Sequence, residues 1–284
     1  MLDGKQGGDR SRDNFDVVYA LCRTFPVDVF RVSEQVHEAW MNRKYRRWHR
    51  LTPRHRGILK LEKSIYGPDG AKAVVTNSQM TKDEVLSHYT YPPERIHVVR
   101  NGFDESILFP AKDAGDRLAC RENRYGADVG DDALVLLFVA NKFKIKGLAP
   151  AIDAISGLPQ PIRHKTRLVV IGGDKQDVYV KRAAARGVES NVVFLGEKRD
   201  LRDYYAGADL LLYPSLGEPF ANVCLEACAC GLPVLTTSVN GSSELVRDGV
   251  NGYVVENATR IDAMSDKLAA FAALSEVERK SFAN

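Results

Sequence analysis

The amino-acid sequence predicts an α/β protein whose second half is a Rossmann-like domain, and three observations carry that reading. Short, largely apolar runs recur at 134–139, 168–171, 192–195, 210–213 and 234–237; helix-length stretches separate them; and each run ends in glycine or polar loop residues. A strand that is apolar at successive positions is buried on both faces, which requires helices above and below a parallel sheet. Such sheets place their ligands at the carboxyl ends of the strands. The chain has 284 residues, and at roughly 100–200 residues per domain that is room for two domains. We place them at 1–108, a partial Rossmann-like domain, and 109–284, complete in its alternation of strand and helix.

The elements follow in order. Residues 1–13 are polar and glycine-rich and read as a frayed leader. The stretches 16–21 and 27–32 have the length and composition of strands. Helices are expected over 34–49 and 54–66, the second opened by Pro53 and closed at Gly67-Pro68. A short strand at 73–76 precedes a helix that opens at Thr81, with Glu84 three residues on as a capping box. A strand at 96–99 ends in the turn Asn101-Gly102. The polar stretch 109–131 is assigned no element. Beyond it, helices are expected from 148, then over 177–186, 200–207 and 221–230, between the strands already named.

Composition narrows the function. Hydrophobic residues make up 44% and charged residues 27%, ordinary values for a soluble globular chain. No apolar run nears the ~18–20 residues of a membrane span, and the first ten residues lack the apolar stretch of a signal peptide. A cytoplasmic location is therefore expected. Five cysteines without a Cys-x-x-Cys pair argue against a disulfide framework or a zinc ribbon. Cys224, Cys228 and Cys230 cluster, but small thiols on one buried helix are read as packing and not as a metal site.

The chemistry concentrates at Pro214–Ala227, a loop at the carboxyl end of a buried strand that runs straight into a helix. The first free N–H groups of that helix, around Asn222 to Cys224, favour an anion such as a diphosphate. Glu226 lies one turn beyond Asn222 on the same face, where a carboxylate accepts hydrogen bonds from a vicinal diol such as a ribose. Glu218 lies on the loop, where a group attached to the diphosphate would sit. The alternative is a solvated loop acid and a dipole-favoured helix acid.

The segment Glu218–Ala227 resembles the E-x7-E motif of the family 4 retaining glycosyltransferases, and the resemblance continues through Cys230–Val234, Asn240–Leu245 and Asp248–Val255. Upstream, Val75–Ser78, Tyr91–Ile96 and Asn101–Asp104 resemble the family's crossover between domains. Arg23-Thr24 followed by Asp28–Val32 is most similar to the lipopolysaccharide core glucosyltransferase branch. The resemblance runs over about residues 14–275. It implies a GT-B fold, two Rossmann-like domains facing a cleft, with the first incomplete here. It implies that Glu226 binds the donor ribose and Glu218 the hydroxyls of the transferred sugar. Phe220, Ala221, Asn222 and Val223 would line the sugar and phosphate pocket. Lys146 matches the lysine that neutralises the diphosphate, with Lys142 and Gly147 in the same donor-binding loop, as departure of a dianionic leaving group needs. Members usually carry an arginine nearby; here Lys142 and Lys144 are the candidates for that second charge. His37 falls near a histidine that faces the sugar in many relatives.

No Asp-x-Asp triplet occurs, so the expected reaction is metal-independent, uses no cofactor, and takes a nucleotide-diphosphate sugar, UDP-glucose for preference, as donor. The acceptor would be a glycan or lipid-linked saccharide such as lipopolysaccharide core. Retaining members are thought to let the leaving phosphate guide the acceptor on the same face. Against a complete member, the chain is expected to lack opening strands, roughly 80 residues at the usual domain size, and closing helices. A shortened first sheet would expose an apolar edge. The alternative function is a nucleotide-sugar-binding remnant without transferase activity; a phosphorylase or epimerase is weaker.

The net charge is only +3, yet seven of the basic side chains, Arg43 to Arg56, fall with no acid between Glu38 and Glu62. Trp40, Tyr45, Trp48 and Leu51 are interleaved with them. Residues 40–58 are read as a segment for an anionic membrane surface, peripheral on its inner face, because aromatic residues favour the interface and each cation adds about 1 kcal/mol there. A solvated helix face is the plainer reading. Nucleic acid is not expected, since no recognition fold accompanies the charge.

Overall fold

A computed structural model of the protein describes residues 15–126, 129 and 133–282. The leader expected over 1–13 lies outside the described residues. The chain divides into two compact units between Arg100 and Asn101.

In the first unit, β1 (Tyr19–Ala20), β2 (Val29–Val32), β3 (Ala73–Thr76) and β4 (Ile96–Val98) form one parallel sheet in that order. Ala20, Phe30 and Val74 share one face by register and are buried with Val36, Ile65 and Val85. Along β1 and the residues flanking it, Phe15, Val17, Tyr19 and Leu21 are 50–61% exposed.

The connecting helices are α1 (His37–Lys44), α2 (Pro53–Ile65) and α3 (Gln79–His88). The single helix expected over 34–49 is interrupted. Tyr45 turns extended, its ring packs on His49 and His55, and the chain resumes as a 3-10 turn over Arg47–Leu51. The capping box expected at Thr81 is also displaced. Ser78 is the N-cap and its Oγ accepts from the Thr81 N–H at 3.1 Å, while Glu84 pairs with Arg43.

Helix α1 has a cap the sequence does not announce. Its N-cap residue, Val36, has no polar side chain to offer. Glu62, in α2 and 0% exposed, takes that role by accepting from the N–H of His37 at 2.7 Å and of Glu38 at 3.3 Å. The same carboxylate accepts from Arg23 Nε at 2.8 Å and from the Tyr89 hydroxyl at 2.6 Å. A negative charge at a helix N-terminus is favoured by the helix dipole, and here it is buried only because four donors meet it.

In the second unit, α4 (Ala114–Tyr125) precedes β5 (Leu134–Val139), α5 (Phe143–Lys146), α6 (Leu148–Ser156) and α7 (Gln160–Lys165). There follow β6 (Thr166–Ile171), α8 (Asp177–Ala185), β7 (Val192–Gly196), α9 (Arg202–Gly207) and β8 (Leu210–Tyr213). The unit closes with α10 (Asn222–Ala229), β9 (Val234–Thr237), β10 (Gly252–Val255), α11 (Ile261–Ala273) and α12 (Glu276–Ser281).

Its six strands are all parallel, in the order β10-β9-β8-β5-β6-β7. That is the doubly wound Rossmann order, with the direction of winding reversing between β5 and β8. All six residues of β5 are buried, which fits a central strand covered on both faces.

Helix α4 occupies the stretch to which no element was assigned. Asp113 caps it at 2.8 Å to the Asp116 N–H, but its inward face carries Cys120, Arg121 and Tyr125. Arg121 Nη1 donates to Asp209 at 3.1 Å and to the Gly207 carbonyl at 3.4 Å. Half of its twelve residues are Asp, Arg, Glu or Asn, so the stretch reads as polar although the helix is amphipathic.

Candidate functional site

The winding reversal between β5 and β8 opens a crevice at the carboxyl ends of these strands, and the candidate residues collect there. A cavity of about 360 Å³ is lined by Ala140 and Asn141 after β5, Gly172 after β6, and Glu197 and Lys198 after β7. Tyr213 at the end of β8, then Glu218, Phe220, Ala221, Asn222, Val223 and Glu226, form another wall, with Lys146 beside them.

The loop from Pro214 to Ala221 is held from behind. The Glu218 N–H donates to the Val239 carbonyl at 3.0 Å, and the Gly241 N–H donates to the Glu218 carbonyl at 2.9 Å. Asn240 Oδ1 and Ser242 Oγ both accept from the Ala221 N–H, at 3.3 and 2.9 Å. Asn240 Nδ2 donates in turn to Thr236 Oγ1 at 2.9 Å and to Cys224 Sγ at 3.6 Å. The Asn240–Leu245 segment, noticed in the sequence as part of a motif, thus clamps the loop that carries Glu218.

Helix α10 begins at Asn222, so its amino end and the dipole it carries face the cavity. The sequence reading expects free N–H groups as far as Cys224, but the Cys224 N–H donates to the Ala221 carbonyl at 3.0 Å. That leaves the start of the helix, nearer Asn222 and Val223, as the anion-facing part.

The two carboxylates have defined partners. Lys146 Nζ forms an ion pair with Glu218 Oε1, and the Tyr213 hydroxyl donates to Glu218 Oε2 at 3.1 Å. The Tyr205 hydroxyl donates to Glu226 Oε2 at 2.7 Å. Burial and the adjoining carboxylate push both phenols well above their ordinary range, so each keeps its proton at neutral pH.

The other expected site residues fall elsewhere. Gly147 does not line the cavity; it is the left-handed link between α5 and α6, at φ +89°, where a Cβ would lie 1.9 Å from the Pro214 carbonyl oxygen. It thereby brings the Lys146 turn against the Glu218 loop, and the Leu216 N–H donates to the Ile145 carbonyl at 2.9 Å. Lys142 and Lys144 are exposed and do not line the cavity, whereas Lys198 does.

His37 belongs to the first unit, at the start of α1, and is buried. Its Nε2 lies 2.9 Å from His55 Nδ1, the rings stacked with centroids 5.1 Å apart. Burial lowers its pKa against the opposing charge of Glu62, which favours neutral imidazole at pH 7. The cysteines behave as packing groups. Cys224 is fully buried, and burial pushes the Cys228 and Cys230 thiols up to about 11.

Tyr205, Tyr213, Asn240, Ser242, Glu197 and Lys198 were not singled out from the sequence. Only the two motif residues, Asn240 and Ser242, left a signal there.

Comparison with known proteins finds relatives of this chain. Residues 121–283 match the family model described as glycosyl transferases group 1, and residues 13–107 match glycosyltransferase family 4. The lipopolysaccharide glucosyltransferase WaaG of Escherichia coli K12 is 32% identical over 211 residues, covering 73% of this chain and 54% of that protein. A D-inositol 3-phosphate glycosyltransferase of Stackebrandtia nassauensis is 31% identical over 201 residues, 67% of this chain and 44% of its own length. The chain spans about half the length of the curated relatives it matches.

Among solved structures, WaaG superposes with a TM-score of 0.84 at 26% identity, covering 95% of this chain and 72% of that one. Anabaena HepE, in complex with UDP and glucose, superposes at 0.65 with 22% identity over 90% of this chain and 64% of its own, a likeness of fold alone.

Proposed function

The chain belongs to the glycosyl transferases group 1 family, with the parallel α/β units of the GT-B fold, and from that premise we propose that it transfers a hexose, with retention, from a nucleotide-diphosphate sugar to a glycan or lipid-linked saccharide. The observation that carries the reading is the meeting of Lys146, Glu218 and Glu226 at the amino end of α10, in the crevice where the winding of the sheet reverses. In it, Glu226 holds the ribose, the helix end and Lys146 take the diphosphate, and Glu218 takes hydroxyls of the sugar. UDP-glucose is the favoured donor, supported by WaaG being a glucosyltransferase. Lipopolysaccharide core is the favoured acceptor, on the same WaaG likeness.

The bond from the sugar carbon to the phosphate oxygen breaks while the acceptor oxygen bonds to the same face of that carbon. The acceptor proton passes to the departing phosphate, so no enzymic nucleophile is required. Charge on the leaving group is met by fixed dipoles and a lysine, with no metal called for. His37 is proposed to serve at the transferred sugar.

The acceptor reading extends to residues 40–58. Trp48 and Leu51 are 59% and 73% exposed, and Arg46, Arg54 and Arg56 are exposed near them. Arg43 and Arg50 are instead spent on Glu84 and Glu38. No helix among the described residues is long and apolar enough to cross a membrane. We propose peripheral contact with an anionic leaflet on the cytoplasmic side. Co-sedimentation with anionic and neutral vesicles tests it; equal partitioning removes the electrostatic argument.

The central test is calorimetric titration of UDP, ADP and GDP, and of their glucose conjugates, into wild type, Glu226→Ala and Lys146→Ala. Selective binding by wild type, lost in both variants, is the expected result. No nucleotide binding by folded protein would overturn the proposal. Binding without turnover toward any saccharide acceptor would leave a nucleotide-sugar-binding protein.

A further inference from the structure

We infer that Tyr213 and Tyr205 are positioning residues that divide the donor site between them, Tyr213 setting Glu218 for the transferred sugar and Tyr205 setting Glu226 for the nucleoside. The inference rests on the donor site proposed above and assigns the roles of two residues within it.

Tyr213 ends β8 and is 2% exposed, its ring stacked on Phe138 with centroids 6.0 Å apart. A phenol has one hydrogen to donate, and Tyr213 spends it on Glu218 Oε2. The Glu218 backbone is already fixed through Val239 and Gly241. Among the described residues two groups hold its side chain, Lys146 on one oxygen and Tyr213 on the other.

Those two differ in what a donor does to them. A diphosphate competes with Glu218 for the charge of Lys146, a mobile point charge on a flexible stem. Tyr213 has no charge to be drawn away and is locked by its ring packing. As Lys146 turns to the phosphate, the Tyr213 hydroxyl goes on orienting the carboxylate, whose other oxygen is then open to a sugar hydroxyl. Among the described residues no lysine pairs with Glu226; the wholly buried Tyr205, on α9, holds it from behind. Burial keeps both phenols protonated through the neutral range, so neither hydroxyl is lost as donor.

The two roles give different binding patterns. Tyr213→Phe and Tyr205→Phe each keep the ring and remove one hydroxyl. UDP and UDP-glucose are titrated calorimetrically into the full chain, and the melting temperature of each variant is recorded. Tyr213→Phe should weaken UDP-glucose roughly tenfold while leaving UDP within about twofold, the lower end of what one hydrogen bond to a charged group is worth, since the residue acts through Glu218. Tyr205→Phe should weaken both ligands by a similar factor. On a Glu218→Ala background the selective effect of Tyr213→Phe should vanish, which a merely structural role would not produce.

Equal losses for both ligands in Tyr213→Phe, or none, would overturn the inference and leave the donor site standing. So would a selective effect that survives in Glu218→Ala. Wild type that binds neither UDP nor UDP-glucose would overturn the donor site itself, and this assignment with it.

Discussion

Replacing Glu62 by methionine should destabilise the first unit by about 4 kcal/mol, because one carboxylate there closes four separate hydrogen-bonding accounts. Methionine has nearly the same length and no strong acceptor. The His37 and Glu38 N–H groups, the Tyr89 hydroxyl and the Arg23 guanidinium would all face a thioether in a site with 0% exposure. Breaking a buried ion pair from one side costs about 3–5 kcal/mol, and each orphaned neutral donor adds roughly 1 kcal/mol. Relief comes from Arg23, which keeps Glu34 and the Gln35 carbonyl as partners, so its share falls well below that range, to about 1 kcal/mol, and the three orphaned donors bring the total to about 4 kcal/mol. A domain holds roughly 5–15 kcal/mol in total, so the loss is a large share of it.

Both tryptophans, Trp40 and Trp48, belong to the first unit, and their fluorescence follows its unfolding without interference from the second. At a urea dependence of about 2 kcal/mol per molar, the midpoint should fall by about 2 M. Glu62→Gln, which keeps one acceptor, should lie between. A midpoint shift under about 0.5 M for Glu62→Met, with the slope unchanged, would refute the view that this carboxylate caps α1 and would detach the placement of His37 from it.

Three further outcomes are expected. Gly147→Ala puts a Cβ 1.9 Å from the Pro214 carbonyl oxygen at φ +89° and should cost roughly 3 kcal/mol or more, read as a fall of about 6–12 °C in the melting of the second unit; an unchanged melt would mean the Lys146 turn does not approach that loop. The Lys112 N–H and Arg202 hold the Asp116 carboxyl below its usual range, and Asp203, raised by burial, is brought below it by Arg124 and Arg202. Carboxylates lowered in the folded state contribute stability that is present above the unfolded value of about 3.9 and lost as pH falls through the folded ones, so the melting temperature should drop below about pH 4 and Arg202→Gln should flatten that drop. Lys198→Ala should weaken UDP binding roughly tenfold at low salt and reduce its salt dependence, while Lys142→Ala changes neither; the reverse pattern would return the second charge to the loop after β5.

What the sequence disclosed and withheld follows from the range of the interactions involved. The strands of the second unit were legible because a central parallel strand must be apolar along its whole length, and β5 and β8 are buried at every position. The loop from Pro214 into α10 was legible for a local reason as well: a strand, a turn and a helix start within a few residues set out an anion site. Helix α4 is hidden in the sequence because half of its residues are polar and its docking side chains Arg121 and Tyr125 bond to Asp209 and the Tyr204 carbonyl some eighty residues away. Likewise the capping of α1 by Glu62 joins positions 25 residues apart across two helices, and Val36 gave no local hint of it.

The second cation shows the same limit at the site. Local reading placed it beside Lys146, at Lys142 or Lys144, because sequence neighbours are the only neighbours a sequence declares. Sheet order offers a further candidate. Strand β7 is an edge strand, next to β6, and the loop after it carries Glu197 and Lys198 to the cavity wall. The exposed side chains of Lys142 and Lys144 do not line that wall. A lysine gives charge without the paired geometry of an arginine, so a phosphate met by Lys146 and Lys198 from separate strands would owe its orientation to the amino end of α10. That division, in which dipoles orient and mobile cations neutralise, explains why the carboxylates flanking the helix need rigid partners of their own, and why those partners are buried tyrosines and not further lysines.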